Sequence, residues 1–159
     1  MTRTSDGGFV LVGYTDLNGN RDILVVKTNA LGQTQWAWTI EGTGDDEARN
    51  VIELADGTYV VCAYTRSFPA SKHSILLVKI DSSGTVAWSR SLEGENTNWP
   101  QSMIGTSDGG FLAVGDTSNA LTTNNDIQVI KFGSVASIEW IGIYKSAAAN
   151  DYGWAVIES

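Results

Sequence analysis

The chain has 159 residues, 42% hydrophobic and 18% charged, with a formal net charge of −8. This composition is typical of a folded domain and argues against intrinsic disorder. The acidic balance argues against nucleic acid and anionic membrane surfaces as partners, because both attract clustered lysine and arginine. The sequence contains no apolar run long enough to cross a bilayer, and its first residues do not resemble a signal peptide.

The first predicted element is a strand at residues 9–15, which follows the turn Ser5-Asp6-Gly7-Gly8. Asp followed by Gly supplies the positive φ that a tight hairpin turn needs. The same turn and strand return at 59–65 and 111–117. Each turn therefore predicts a hairpin between an earlier strand, named a, and this strand, named b.

The next element, strand c, is predicted at 22–28, 74–80 and 126–132. Its lysine recurs at equal intervals of 52 residues (79 minus 27 and 131 minus 79), at Lys27, Lys79 and Lys131. Strands b and c are apolar without alternation, which indicates strands that are covered on both faces. We therefore expect the sheets to stack face to face.

Strand d follows a second turn and carries a tryptophan that repeats at the same interval, as Trp36, Trp88 and Trp140. Its apolar and polar residues alternate, which is typical of an outer strand with one wet face. The repeated tryptophans are interpreted as packing residues between sheets. The third copy has Gly133 in place of Asp81, so its turn is expected to be irregular.

Strand a is predicted at 49–54, 101–106 and 154–159, so the chain is predicted to begin at strand b. The sequence is therefore predicted to form one domain of three repeats, at 1–54, 55–106 and 107–159. Strand a of the first repeat is expected to come from residues 154–159, either of the same ring or of another copy.

These repeats predict an all-β fold of three four-stranded antiparallel blades, a β-propeller. The turn from Asp81 to Gly84, followed by Trp88, resembles the tryptophan-docking blades of quinoprotein-like propellers. The pattern Asp-Gly-Gly-Phe, with a later apolar run ending in Lys, is similar to blades of bacterial surface and secreted repeat proteins. The resemblance implies a scaffold and an extracellular or cell-surface location. The alternative fold is a β-trefoil, which also has three four-stranded repeats.

Three blades alone leave apolar faces uncovered at both ends, which soluble monomers avoid. Known propellers begin at about four blades. We therefore expect a homodimer that closes a six-bladed ring by head-to-tail contacts. The alternative is that the chain is a piece of a longer array of blades.

The b–c and d–a connections share one face of the predicted ring and vary between copies, so this face is the expected binding face. Trp99 and Tyr152 are candidate platforms for sugar rings on that face. Asp45 and Asp46 are candidates for binding a cation or a basic partner, with a solvated loop as the alternative.

A calcium site is a further candidate, because Asp16, Asn18, Asn20 and Asp22 place oxygen ligands at alternate positions. The loop lacks the later glutamate of a calcium loop and has no counterpart in the other copies. A polar loop with Asx-turns is the alternative. No other cofactor is expected.

An enzyme is disfavoured, because His73 is the only histidine and Cys62 the only cysteine. A zinc cluster and a serine triad with its usual glycine-rich elbow are both missing from the sequence. The leading interpretation is a non-enzymatic β-propeller that acts as an interaction scaffold, with a protein or glycan partner. The alternative is a carbohydrate-binding, lectin-like propeller.

Overall fold

The computed structural model describes residues 1–17, 19–68, 73–92, 97–118, 124–146 and 149–158. Within these ranges the chain forms twelve β-strands and no helix, which confirms the all-β prediction. The described residues accordingly include no helix that is long and apolar enough to span a membrane. The strands form three separate antiparallel sheets of four strands each.

Each sheet takes its strands in chain order, which is the predicted order a, b, c, d. The first sheet contains β1 (Thr2–Arg3), β2 (Phe9–Leu17), β3 (Asn20–Thr28) and β4 (Thr34–Ile40). The second contains β5 (Asp46–Glu53), β6 (Tyr59–Thr65), β7 (Ser74–Ile80) and β8 (Val86–Leu92). The third contains β9 (Thr97–Gly105), β10 (Phe111–Ser118), β11 (Asn125–Phe132) and β12 (Ile138–Tyr144).

The start of the chain differs from the prediction. The first sheet has its own short strand a, because Thr2 and Arg3 pair with Val10 and Phe9. Residues 154–158, predicted to be a strand, form none within the single chain. The physical reason is that this segment has no neighbouring strand b with which to form a ladder of hydrogen bonds.

The predicted repeat boundaries do not coincide with the boundaries of the sheets. The three sheets span residues 2–40, 46–92 and 97–144, so a repeat that ends at 54 or 106 includes strand a of the following sheet. Strands β5 and β9 begin earlier than predicted, and each contains a bulge in its pairing with the next strand. The bulge lets polar loop residues continue the ladder.

The core lies between the sheets, and the second sheet is the middle layer. Every residue of β6 is buried. Val61 and Ala63 pack towards the first sheet, whereas Val60 and Cys62 pack towards the third. This confirms the prediction that unbroken apolar strands have both faces covered.

No described strand pairs with a strand of another sheet. A β-trefoil would need such pairing, because strands from all three of its repeats form one barrel. The three independent sheets therefore do not have the arrangement that the alternative fold requires.

Trp36 connects the first sheet to the second. Its indole Nε1 donates to Ser82 O over 3.2 Å, and its ring lies 6.1 Å from the ring of Tyr59. Trp88 packs against the apolar cluster between the second and third sheets. Trp140, at the same position of the third sheet, is 46% exposed because no further sheet covers it.

The repeated lysine of strand c has a structural role that spacing alone did not reveal. It pairs with the aspartate of the a–b turn in every sheet: Lys27 with Asp6 at 2.7 Å, Lys79 with Asp56 at 3.2 Å, and Lys131 with Asp108 at 2.9 Å. The Lys27 hydrogen bond holds the pKa of Asp6 well below its usual range. Each pair ties a turn to the strand beneath it.

Candidate functional site

The strand ends that flank the connections β2–β3, β4–β5, β6–β7, β8–β9 and β10–β11 lie at one end of the sheets, since antiparallel strands alternate direction. We call this end the loop face and the opposite end the turn end. The loop face is tied together by hydrogen bonds between connections. Gly44 N donates to Ser67 Oγ over 2.9 Å, and Asn20 Nδ2 donates to Gly42 O and Gly44 O over 3.1 and 2.9 Å.

Asp45 and Asp46, predicted to bind a cation or a basic partner, form hydrogen bonds that hold the connection between the first and second sheets. Asp45 Oδ1 accepts from Arg21 N over 3.1 Å. Asp46 is fully buried, and its Oδ1 accepts from the Thr65 hydroxyl and from Arg66 N. The role of these two residues in ligand binding stays a prediction, although the structure places them in the framework of the loop face.

Three equivalent positions meet wherever one sheet contacts the next, and we call each such contact a junction. The first position is the residue of strand b that pairs with an isoleucine of strand c. The second position lies two residues before that isoleucine. The third position belongs to strand a of the following sheet, or to the segment that takes its place. The third junction is the contact between the third sheet and residues 149–158. The positions hold Tyr14, Arg21 and Glu47 at the first junction, Tyr64, His73 and Trp99 at the second, and Asp116, Asn125 and Tyr152 at the third.

The first junction is a charged cluster centred on Glu47. Its carboxylate accepts from Arg21 Nη1 over 3.2 Å and from the Tyr64 hydroxyl over 3.1 Å. Arg49 also lies 3.2 Å from it, and the Arg21 guanidinium sits 4.4 Å above the ring of Tyr14. Burial raises the pKa of Tyr64, and the charge of Glu47 raises it further, so the phenol stays protonated at neutral pH.

The second junction is an aromatic cluster. The ring of His73 lies 5.4 Å from Tyr64, edge-on, and 4.9 Å from Trp99. The Arg49 guanidinium is 5.4 Å from the Tyr64 ring on the same cluster. Burial lowers the pKa of His73, with a further contribution from Arg66, so the imidazole is neutral at pH 7. Trp99 therefore belongs to a partly buried cluster of mutually tilted aromatic rings beside a cation.

The third junction is acidic. Asp116 is buried, and burial raises its pKa against the opposing influence of a Gln101 hydrogen bond. Its Oδ1 has no hydrogen-bond partner among the described residues. Asp151 Oδ2 accepts from Ser146 N over 2.6 Å, and its own N donates to Asn125 O over 2.7 Å. This junction thus differs in chemistry from the other two.

Of the two predicted aromatic platforms, Trp99 belongs to the second junction, whereas Tyr152 belongs to the third and lies 6.5 Å from Trp154. The structure therefore places them in two different clusters. Sequence reasoning did not select Tyr64, His73 and Arg49 as partners of Trp99. The available signal was that residues at one repeat position change type between copies, while their neighbours stay apolar.

The predicted calcium ligands are arranged as a hairpin. Asp16 pairs with Arg21 in the β2–β3 ladder and is exposed, and Asn18 lies outside the described residues. Asn20 is engaged by the carbonyl groups of the β4–β5 connection, and Asp22 Oδ1 accepts from Gly42 N over 3.1 Å. No group of three or more His, Cys, Asp or Glu side chains suited to a metal occurs in the described ranges. The calcium site stays a prediction.

A cleft of about 520 Å³ opens between the outer strands of the first two sheets. Its walls include Trp38, Leu76 and Val78, and Ser89 and Ser91 supply polar atoms. Its size suits a small ligand. Unlike the junctions, it has no charged or aromatic cluster at a repeated position.

No protein-family model matches the chain, and a search of curated proteins found no match.

Proposed function

We propose that this protein is a non-enzymatic β-propeller that acts as a binding scaffold, with its ligand site on the loop face. The observation that carries the proposal is the contrast between the two ends of the sheets. The Asp–Lys pair of the turn end recurs in all three sheets, whereas the junctions of the loop face differ in chemistry at equivalent positions. Repeat proteins place their binding specificity in variable side chains on a constant framework.

The way successive sheets pack supports the blade arrangement. Strand β5 contacts β2 and β3 of the preceding sheet, and β9 likewise contacts β6 and β7. The first strand of each sheet therefore meets the same two strands of the sheet before it. Repetition of one face-to-face contact is the way in which blades succeed each other in a propeller.

A carbohydrate ligand is the second candidate, and the second junction favours it. Trp99 and His73 supply aromatic rings for the apolar side of a sugar, while Arg49, which lies on the same cluster and is partly exposed, supplies hydrogen-bond donors. The extracellular or surface location implied by the resemblance is part of this proposal.

A glycan array, followed by calorimetry on any glycan that binds, tests the site. We expect Trp99→Ala to weaken binding by about tenfold or more, because truncating an aromatic anchor removes most of its contact area. Trp99→Phe keeps a ring and should retain most of the affinity. Val135→Ala, at the turn end of the third sheet, is the control and should leave the affinity unchanged.

The variants must have the wild-type far-ultraviolet spectrum, since Trp99 is partly buried. Absence of any glycan binding would overturn the carbohydrate candidate. The wider proposal is tested by hydrogen exchange with any bound ligand. Protection should appear at the loop face, and protection confined to the turn end would contradict the proposal.

A further inference from the structure

Residues 149–158, the C-terminal segment, lie against the third sheet in the way that β5 lies against the first. At the loop face, Asn125 N donates to Asn150 Oδ1 over 2.8 Å, as Arg21 N donates to Asp45 Oδ1. At the turn end, Ser107 N and Oγ donate to the Glu158 carboxylate over 2.9 and 2.8 Å. The segment is therefore anchored at both ends.

The turn-end anchor has a direct counterpart at the first junction. Ser5 N and Oγ donate to the Glu53 carboxylate over 2.7 and 2.8 Å. The two anchors are eight residues apart in both cases, from 45 to 53 and from 150 to 158. The C-terminal segment thus has the length and the attachment points of a strand a.

The middle of the segment also contacts the expected strands. A Cβ at Gly153 would lie 2.7 Å from Val114 Cγ2 and 2.9 Å from Ile127 Cγ2, so glycine allows a close approach to β10 and β11. These are the b and c strands of the third sheet, the same types of strand that β5 contacts in the first. The segment therefore lies where a strand a is expected, but no strand b lies beside it.

Side chains of the segment that should be covered by a further sheet are exposed. Ile157 corresponds to Ile52 by the spacing of the anchors; Ile52 packs against an apolar cluster, whereas Ile157 is 84% exposed. Trp140 of β12, which corresponds to Trp36, is also uncovered. This end of the molecule therefore has the strand a and the tryptophan of a junction, but no following sheet covers them.

The opposite end of the molecule has the surface against which a preceding sheet would pack. Within the described residues, β2 pairs on its outer edge only through Phe9 and Val10, and Leu11 and Tyr14 are exposed. The β3–β4 turn, which corresponds to the Ser82 turn that receives Trp36, carries Leu31 with 83% of its surface exposed. The equivalents of Leu11 and Tyr14 in the second sheet, Val61 and Tyr64, are buried by the preceding sheet.

We propose that the C-terminal segment of one copy pairs with β2 of a second copy and so rebuilds the internal junction between two chains. Ile157 and Glu158 take the places of Thr2 and Arg3, opposite Val10 and Phe9. Trp140 lies on the β3–β4 turn of the second copy, near Leu31. The partner is a second copy of the chain, because the outer edge of its β2 has unpaired backbone groups. The C-terminal segment, which has no strand b beside it, can form hydrogen bonds with these groups.

Two such contacts in a symmetric pair close a dimer without leaving either surface open. This inference rests on the proposed blade arrangement, but it does not depend on the ligand. The contact joins unlike surfaces, so each copy contributes its C-terminal segment to one contact and its β2 edge to the other.

The mass in solution is the first test. Light scattering at micromolar concentration should give about twice the chain mass of 17.0 kDa. Leu31→Asp should raise the dissociation constant of the dimer by about tenfold or more, because it places a charge under Trp140. Val135→Asp is the matched control, since Val135 occupies the same turn position in the third sheet and is also exposed. A monomeric wild type, or equal effects of the two variants, would overturn the proposal.

A cysteine pair tests the register. Leu11→Cys with Val156→Cys should form a disulfide between two chains on oxidation, because the proposed ladder places these residues opposite each other. Val12→Cys with Val156→Cys is the control, since adjacent residues of a strand point to opposite faces. The buried Cys62 does not interfere. A doubled mass in the control alone, or in neither variant, would contradict the register and the proposal with it.

The dimer and the ligand site can fail separately. A dimer without glycan binding would leave this inference standing and overturn the carbohydrate candidate. Glycan binding by a wild-type monomer would do the reverse.

Discussion

Lys27 Nζ lies 2.7 Å from Asp6 Oδ2 and 2.8 Å from Thr28 O, which places a lysine almost wholly buried beneath the first a–b turn. Its third acceptor is Gln35 Oε1 at 3.0 Å. A buried ammonium is tolerated only when its donors are satisfied. The turn, strand c and strand d of the first sheet are therefore connected through one side chain.

We expect Lys27→Met to lower the free energy of unfolding by about 2 kcal/mol, because Thr28 O and Gln35 Oε1 lose a charged donor. Lys79→Met is the matched control in the second sheet. Lys79 is more exposed and is bound to Asp56 at 3.2 Å, so its loss should cost about 0.5 kcal/mol. Urea unfolding measures both, and equal losses would contradict the special role of Lys27.

Gly8→Ala should destabilise the protein by about 2–3 kcal/mol. A Cβ at this position would lie 2.0 Å from Thr28 O and 2.8 Å from Lys27 Nζ, and the carbonyl belongs to a paired strand that cannot easily move. Gly13→Ala in β2 is the control, because a Cβ there meets no atom within 4 Å. Thermal unfolding of the two variants should separate them clearly. A similar melting temperature for both would show that the close approach is relieved without cost.

Stability should fall as the pH decreases from about 4 to about 2. Hydrogen bonds from the Thr58 side chain and backbone, together with Lys79, lower the pKa of Asp56 from 3.8 to about 2. The pKa values of Asp6 and Asp108 are lowered as well, chiefly by their lysine partners. A carboxylate with a depressed folded pKa stabilises the protein above its unfolded pKa, and this contribution is lost as the pH falls through the folded value.

Urea unfolding at several pH values between 7 and 2 checks this dependence. In Asp56→Asn, one of the titrating carboxylates is absent, so the slope of stability against pH should be shallower than in the wild type. A wild-type stability that stays constant down to pH 2 would rule out the proposed linkage.

Cys62 should not react with a thiol reagent in the folded protein. Its side chain is fully buried in β6, and burial raises the pKa of the thiol to about 12, so almost no thiolate exists at pH 8. Ellman's reagent should label it only after guanidinium unfolds the protein. Rapid labelling under native conditions would indicate that the second sheet opens readily.

Much of the fold was accessible from periodicity. The continuous apolar runs of strands b and c predicted both their positions and their burial, because a strand covered on both faces needs no polar side. The a–b turns were predictable because Gly adopts the positive φ that the turn needs and the preceding Asp hydrogen-bonds to the backbone two residues on. Strand a was predicted less accurately, since β5 and β9 begin in polar loop residues and pass through a bulge.

The candidate site was accessible only in part. Variable loops and Trp99 could be selected by comparing copies, and Trp99 does lie in a cluster of the loop face. Its partners could not be selected, because Tyr64 and His73 belong to the second sheet and Trp99 to the third. The contact between these residues depends on how the two sheets stack, and the local sequence spacing does not reveal the distance between sheets.

By itself, the sequence determined the repeat, the order of strands and the apolar strands that must be buried, because these follow from local periodicity and turn chemistry. Tertiary structure alone decided which side chains meet at each junction, why the lysines recur, and how residues 149–158 lie on the third sheet. These features depend on contacts between sheets and on turns folded over strands. Such contacts join residues about twenty to fifty positions apart, as Lys27 with Asp6 and Glu53 with Ser5 illustrate.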